Sequence, residues 1–264
     1  MKIVSLIPAR MNSTRFPGKP LARIHGRPMI EHIFCRAALC SELDAVYVAT
    51  CDAEIRDAVE KFGGKVIMTS PDHERATDRV AEAVKSLPAD IVVMIQGDEP
   101  MITPEMITLA VNPMRRNSAI ECVNLVRRIE NREDFINRNT IKVVMNIRQD
   151  AVYFSRSPIP AIDFSQNNHL PVFKQVCVIP FRRDFLCHFT SLPPTPLEQA
   201  ESIDMLRIIE HGGRIRLVET EYDTHAVDTP DDLRLVEKLM KNDSLISFYE
   251  KTAVDGAKLR WLFG

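Results

Sequence analysis

Residues 9–20 read ARMNSTRFPGKP and gather three fixed cations, Arg10, Arg15 and Lys19, among Ser13, Thr14 and Gly18. They follow a short apolar run, residues 3–7, of the length of one buried strand. Pro17 and Pro20 keep the second half of the stretch out of helix. Cations, hydroxyls and loop N–H groups together suit a polyphosphate. No GxxxxGK[ST] and no GxGxxG is present, so this is neither a Walker loop nor a dinucleotide fingerprint. Two carboxylates stand far away in sequence. Asp98 follows the apolar run 89–95 after Gln96-Gly97, and Asp228 directly precedes Thr229-Pro230. Brought together they suit Mg²⁺, which takes one or two carboxylates plus phosphates and water. Each has a plainer reading: Asp98 as the cap of a turn or of a helix opening at Pro104, Asp228 as a helix-entry cap. Spacing alone does not decide between them.

The elements that must position these groups alternate. Strands are predicted over 3–7, 45–50, 65–69 and 89–95. Helices are predicted over 28–40, 52–62, 78–86 and 103–116, with Asp52 capping the second, Gly63-Gly64 ending it, and Thr77 or Asp78 capping the third. This order argues for a mostly parallel sheet with right-handed crossovers, whose ligands bind at the carboxyl ends of the strands. Further on, strands are expected at 119–127, 140–146, 150–155, 173–181 and 214–218, with a polar, irregular or briefly helical stretch at 129–139. Residues 157–171 read as a proline-broken loop. Helices are expected at 184–190, at 195–211 and from Thr229, where Pro230 takes the first position and Asp231 and Asp232 face the positive end. A helical tail over 244–264 is expected to pack Phe248, Tyr249, Trp261, Leu262 and Phe263 back on the body.

A net charge of −2 over 264 residues offers no broad basic field, which argues against nucleic acid and against anionic membrane as partners. Any anion site must be local. The six cysteines form no CxxC pair and no metal spacing, so reduced thiols packing in a cytoplasmic protein are expected. The opening residues do not read as a signal peptide, and no apolar run approaches the ~20 residues a membrane span needs. His73 is expected to cap or solvate its loop, and the methionines to fill core.

The opening PAR-x-x-S-T-R-x-P-G-K-P-L resembles that of the sugar nucleotidyltransferases. With HERATDR at 73–79, QGDEP at 96–100, IKVV at 141–144, YFSRSPIP at 153–160, PLEQAE at 196–201 and VDTPDDL at 227–233, the chain is similar to the CMP-Kdo synthetases (3-deoxy-manno-octulosonate cytidylyltransferases) over roughly residues 2–240. That resemblance implies a Rossmann-like α/β nucleotidyltransferase fold in one domain, 1–264, with residues 145–190 as a sugar-binding and dimerisation subregion. It implies a homodimer, a role in lipopolysaccharide biosynthesis, and a Mg²⁺-dependent reaction that joins a 2-keto-3-deoxy sugar acid to CTP with release of pyrophosphate. By the family pattern Ala9, Arg10, Ser13 and Lys19 hold the triphosphate with Arg15 nearby. Arg79 and Gln96 sit by the cytidine, Asp98 and Asp228 bind Mg²⁺, and Arg156 pairs with the sugar acid. Arg10, Lys19 and Asp98 are the expected catalytic groups. Fixed cations and a metal suit a reaction between two anions, and no covalent nucleophile is needed.

The departures cluster on one theme. Arg75 and Ala76 replace Ser and Gly of the family's HxSGTDR. Gln175 and Ile179 stand where a HLGIY-like strand offers His and Tyr to the sugar, and Asp204-Met205 replaces Glu-Gln. Gln175 and Asp204 are therefore candidate substrate contacts in altered form, and the acceptor is expected to be Kdo or a modified relative. Two alternatives remain at this point: a nucleotidyltransferase using another NTP or acceptor, and a non-catalytic binding protein on the same fold.

Overall fold

The computed structural model describes residues 1–13, 15–162 and 170–254. Two compact units form, one from residues 1–108 with 223–264, the other from 109–222.

The first unit opens on β1 (Ile3–Pro8), every residue of which is buried. The cationic loop follows and closes in a single 3₁₀ turn, Lys19–Leu21. A small hairpin, β2 (Arg23–Ile24) and β3 (Arg27–Pro28), leads into α1 (Met29–Ala38). Then come β4 (Ala45–Thr50), α2 (Ala53–Lys61), β5 (Val66–Met68), α3 (Ala76–Val84) and β6 (Ile91–Ile95), followed by α4 (Pro104–Arg116), which starts in this unit and ends in the second. The strands line up as β6–β1–β4–β5, all parallel, with Val4 opposite both Ala45 and Val92. The chain builds outward from β1 through β4 to β5, then returns to the far side of β1 for β6. The order reverses between β1 and β6, which is where an open parallel sheet places its ligand crevice. The expected helix cap at Thr77 or Asp78 is displaced: α3 starts at Ala76 with Arg75 at the N-cap, and Thr77 is wholly buried.

The second unit holds β7 (Val123–Arg128), α5 (Arg132–Ile136), β8 (Lys142–Met145), β9 (Ala151–Ser155), β10 (Phe173–Val176), β11 (Val178–Arg182), α6 (Arg183–Ser191), α7 (Pro196–Glu201), α8 (Met205–Glu210) and β12 (Arg216–Glu219). Its sheet runs β12–β7–β10–β8–β9; β12 pairs parallel to β7 and the others are antiparallel. The strand expected from residue 119 starts later because Asn117 closes a turn, accepting from Ala119 N on its side chain and Ile120 N on its carbonyl. The single strand expected over 173–181 is two, broken at Cys177, and Pro180 lies inside the second. The single helix expected over 195–211 is also two. Ser202 sits in the left-handed region (φ 55°), and the break lets Arg207 reach Glu198 at 2.6 and 2.7 Å. A straight helix would leave those nine residues about 13 Å apart along its axis.

The chain returns to the first unit in α9 (Pro230–Leu239) and α10 (Ser244–Val254). Tyr249 is buried against His32, whereas Phe248 faces solvent, contrary to the packed-back reading. Trp261, Leu262 and Phe263 lie outside the described residues, as do residues 163–169 of the proline-broken loop and Thr14. No described helix is long and apolar enough to cross a membrane.

Candidate active site

A cavity of about 670 Å³ opens at the carboxyl ends of β1 and β6. Ala9, Arg10, Ser13, Arg15, Lys19, Arg79, Gln96, Asp98 and Asp228, expected from sequence to serve one site, all line it. The loop after β1 is folded around one carbonyl: Met11 O accepts from Ser13 N and Gly18 N, each at 3.0 Å. Gly18 adopts φ 72°, a conformation that side chains resist, and this turn delivers Lys19 into the 3₁₀ turn. Ala9 N donates to Ala49 O at 3.0 Å, carrying the sheet one residue beyond β1. Ser13 Oγ accepts from Phe16 N at 3.4 Å, so the hydroxyl also shapes the loop. Asp52 does not cap α2 with its side chain; its Oδ2 accepts Met11 N at 2.8 Å and pins the cationic loop instead.

Lys19 is the centre of the site. Its Nζ lies 2.8 Å from Asp98 Oδ2 and 3.4 Å from Asp228 Oδ1. Those oxygens are therefore no further apart than the sum of the distances, about 6.2 Å. Arg15 Nη2 reaches the same Asp228 oxygen at 3.0 Å. Burial lowers the Lys19 pKa most, but the two carboxylates together outweigh it and hold the ammonium above its usual value. The helix-cap alternative fails for Asp228. Thr229 accepts from Asp232 N as the N-cap of α9, and Asp232 answers by accepting Thr229 N, so the capping box is complete without the Asp228 side chain. Two carboxylates converging on one cation from points 130 residues apart in the chain fit a small hard divalent ion that also takes phosphate oxygens.

Across the cavity, Gly97 allows the β6 turn to lie against β1: a Cβ there would stand 2.6 Å from Pro8 O. Arg79 is buried and donates to Thr69 Oγ1 and, at 3.2 Å, to Ser70 O, so part of its guanidinium holds the β5–α3 connection. Arg75 and Ala76, the departing pair, also line the cavity. His73 pairs with Glu82 rather than simply facing solvent.

The other candidates belong to the second unit. Arg156 donates through Nε to Glu201 O at 2.8 Å and through Nη1 to Arg138 O at 3.2 Å, while Glu201 Oε2 accepts its backbone N–H. Lys142, fully buried, gives its three donors to the carbonyls of Asn137, Thr140 and Arg156 at 2.6–2.7 Å. Burial, reinforced by neighbouring Arg156, lowers its pKa to about 8. Gln175 Nε2 donates to buried Asn124 Oδ1 at 2.6 Å. Asp204 stands at the N-cap of α8 without a side-chain capping bond. Ile179 and Met205 are core residues, 2% and 0% exposed.

Sequence reasoning missed Asn12, Glu74 and Gly97 in the lining and Asp52 behind it. A signal existed for Asp52: it follows the carboxyl end of β4 as Asp98 follows β6. None marked Asn12 or Glu74, which sit on irregular chain.

A sequence model of the cytidylyltransferase family matches residues 4–221. The 3-deoxy-manno-octulosonate cytidylyltransferase of Geobacter metallireducens is 46% identical over 251 residues, covering 91% of this chain and 99% of its own. That of Pelobacter propionicus is 46% identical over 242 residues, covering 88% and 95%. A solved CMP:2-keto-3-deoxy-manno-octonic acid synthetase complexed with CTP is similar at 43% identity and TM-score 0.84, over 91% of this chain and 98% of that one. A cytidylyltransferase from Leptospira borgpetersenii, 19% identical with TM-score 0.63, shares the fold over 96% of this chain and 95% of its own.

Proposed function

This chain belongs to the 3-deoxy-manno-octulosonate cytidylyltransferase family, and on that footing we propose that it joins CTP to 3-deoxy-manno-octulosonate, giving the CMP-sugar and pyrophosphate. The observation that carries the reading is the convergence of Asp98 and Asp228 on Lys19, in a cavity whose lining also includes Arg10, Arg15, Arg75 and Arg79. Both reactants are anions, and fixed cations offset their repulsion without reorganising. The anomeric hydroxyl oxygen attacks the α-phosphorus. The new O–P bond forms as the bond to the β-phosphate bridging oxygen breaks, and the hydroxyl proton leaves to solvent. Arg10, Arg15 and Lys19 face the triphosphate and stabilise the charge that gathers on the departing pyrophosphate. Gln96 and Arg79 orient the nucleoside. Asp98 and Asp228 would hold Mg²⁺, which supplies further neutralisation of the triphosphate. A homodimer through residues 145–190 belongs to the same reading, supported by the surface-exposed apolar side chains of Ile147, Val152 and Leu170.

The test measures pyrophosphate release with CTP, UTP, GTP or ATP against a panel of 3-deoxy sugar acids. Fast, Mg²⁺-dependent turnover of CTP with 3-deoxy-manno-octulosonate is expected. Preference for another NTP refutes the nucleotide assignment. Preference for a modified sugar acid over the plain one refutes the acceptor assignment and returns weight to Arg75, Gln175 and Asp204 as specificity changes.

A further inference from the structure

The mechanism uses Asp98 and leaves its neighbour unexplained. Glu99 is 3% exposed, and a carboxylate is rarely buried without partners. Its Oε2 accepts the Oγ1 hydroxyl of Thr224 at 2.6 Å; Thr224 is itself 4% exposed and 125 residues away in sequence. Three residues beyond Thr224, Val227 N donates to Asp98 O at 2.9 Å, and Asp228 comes next. Residues 223–228 belong to no helix or strand, so no ladder of backbone bonds sets their position. At the other end Glu99 is fixed in a turn, its N–H donating to Gln96 O at 3.2 Å. The Glu99–Thr224 bond and the Asp98–Val227 bond thus tie a coil segment to the turn after β6, and each end of that tie adjoins one of the two carboxylates of the site.

We infer that Glu99 is a positioning residue: by accepting the Thr224 hydroxyl it holds residues 223–228 against the turn after β6 and so sets the spacing of the Asp98 and Asp228 carboxylates. This inference rests on the reading of those two acids as a divalent-cation site. Side chains behind metal ligands commonly matter ten- to a hundredfold for affinity, because they fix where the ligands point. Thr224 and Glu99 need touch neither nucleotide nor sugar to have that effect.

The test titrates Mn²⁺ into the full-length protein with CTP and no acceptor, reading bound metal by electron paramagnetic resonance, so that no turnover is needed. Asp98→Asn and Asp228→Asn are the controls, and both are expected to abolish high-affinity binding. If both retain it, the metal reading falls and the tether falls with it. With the controls intact, Thr224→Val is expected to weaken Mn²⁺ roughly 10-fold, and Thr224→Ser to restore it to within roughly 2-fold. Unchanged affinity in Thr224→Val overturns the inference while leaving the metal reading standing. Glu99→Gln gives a second route should Thr224→Val fail to fold. Its amide oxygen still accepts the hydroxyl, so near-native affinity is expected; a loss as large as that expected for Thr224→Val means that Glu99 acts through its charge, and the tether is wrong.

Discussion

Lys19→Met removes the ammonium that lies between Asp98 and Asp228 at 2.8 and 3.4 Å and keeps most of the side-chain volume. At an effective dielectric constant of ~20 those contacts are worth roughly 6 and 5 kcal/mol before desolvation is charged against them. Desolvation is the largest single influence on Lys19, yet the ammonium is still held above its usual pKa, so the net interaction is favourable. Without it, two carboxylate oxygens no more than about 6.2 Å apart repel by at least roughly 3 kcal/mol at the same dielectric, partly offset by Arg15 on Asp228. If Asp98 and Asp228 hold a divalent cation as proposed, wild-type Lys19 competes with it for the same oxygens. In the absence of nucleotide, Lys19→Met is expected to bind Mn²⁺ more tightly than wild type, by about 10-fold, or ~1.4 kcal/mol. Turnover moves the other way and falls by ~10²-fold or more, because a fixed cation facing the transferring phosphate is lost. The assay pairs Mn²⁺ titration of the nucleotide-free protein with pyrophosphate release. Tighter metal with slower chemistry is the expected signature. Weaker or unchanged metal affinity refutes the claim that Lys19 and the cation share one site.

Three other outcomes follow from single features. Gly97→Ala places a Cβ 2.6 Å from Pro8 O, a backbone atom that cannot swing aside, so urea unfolding should show a loss of roughly 1–3 kcal/mol together with loss of turnover. His32 is buried, and burial depresses its pKa from 6.5 to about 4, so the unfolded chain binds the proton first as pH falls. Stability present above pH 6.5 should be lost by about 3 kcal/mol as pH falls towards 4, read as urea midpoints at pH 7.5, 5.5 and 4.5, and the slope should vanish in a folded His32→Gln variant. Glu198→Ala strands the Arg207 guanidinium, 4% exposed, without its carboxylate; a cost of roughly 3–5 kcal/mol is expected, smaller when Arg207 is replaced by Met as well.

Much of the active site could be read from the sequence because its parts are local. A parallel strand is a short apolar run, and a turn rich in cations directly after it has one place to go, the carboxyl edge of the sheet. That reasoning pointed to Arg10, Lys19 and Asp98, whereas Gln96 came only with the family resemblance; it would have pointed to Asp52 had its second role been weighed against capping. Gly97 carries no local signature: its need is the carbonyl of Pro8, which approaches only once β1 and β6 pair. The two breaks in the second unit were hidden for a similar reason. Apolar periodicity runs unbroken through Cys177 and Ser202, and what divides the elements is long-range, such as the Arg207–Glu198 pair that a continuous helix would hold apart. Asp228 marks the boundary most clearly. Its sequence surroundings, a Thr-Pro-Asp-Asp helix start, permit a cap or a ligand equally well. Only the fold, which assigns capping to Thr229 and Asp232 and delivers Asp228 to Lys19 across 209 residues of chain, removes the first option. Sequence determined which groups were present and which strand ends would bear them; tertiary structure decided which of them meet, because that depends on pairings between segments whose separation in the chain leaves no periodic trace.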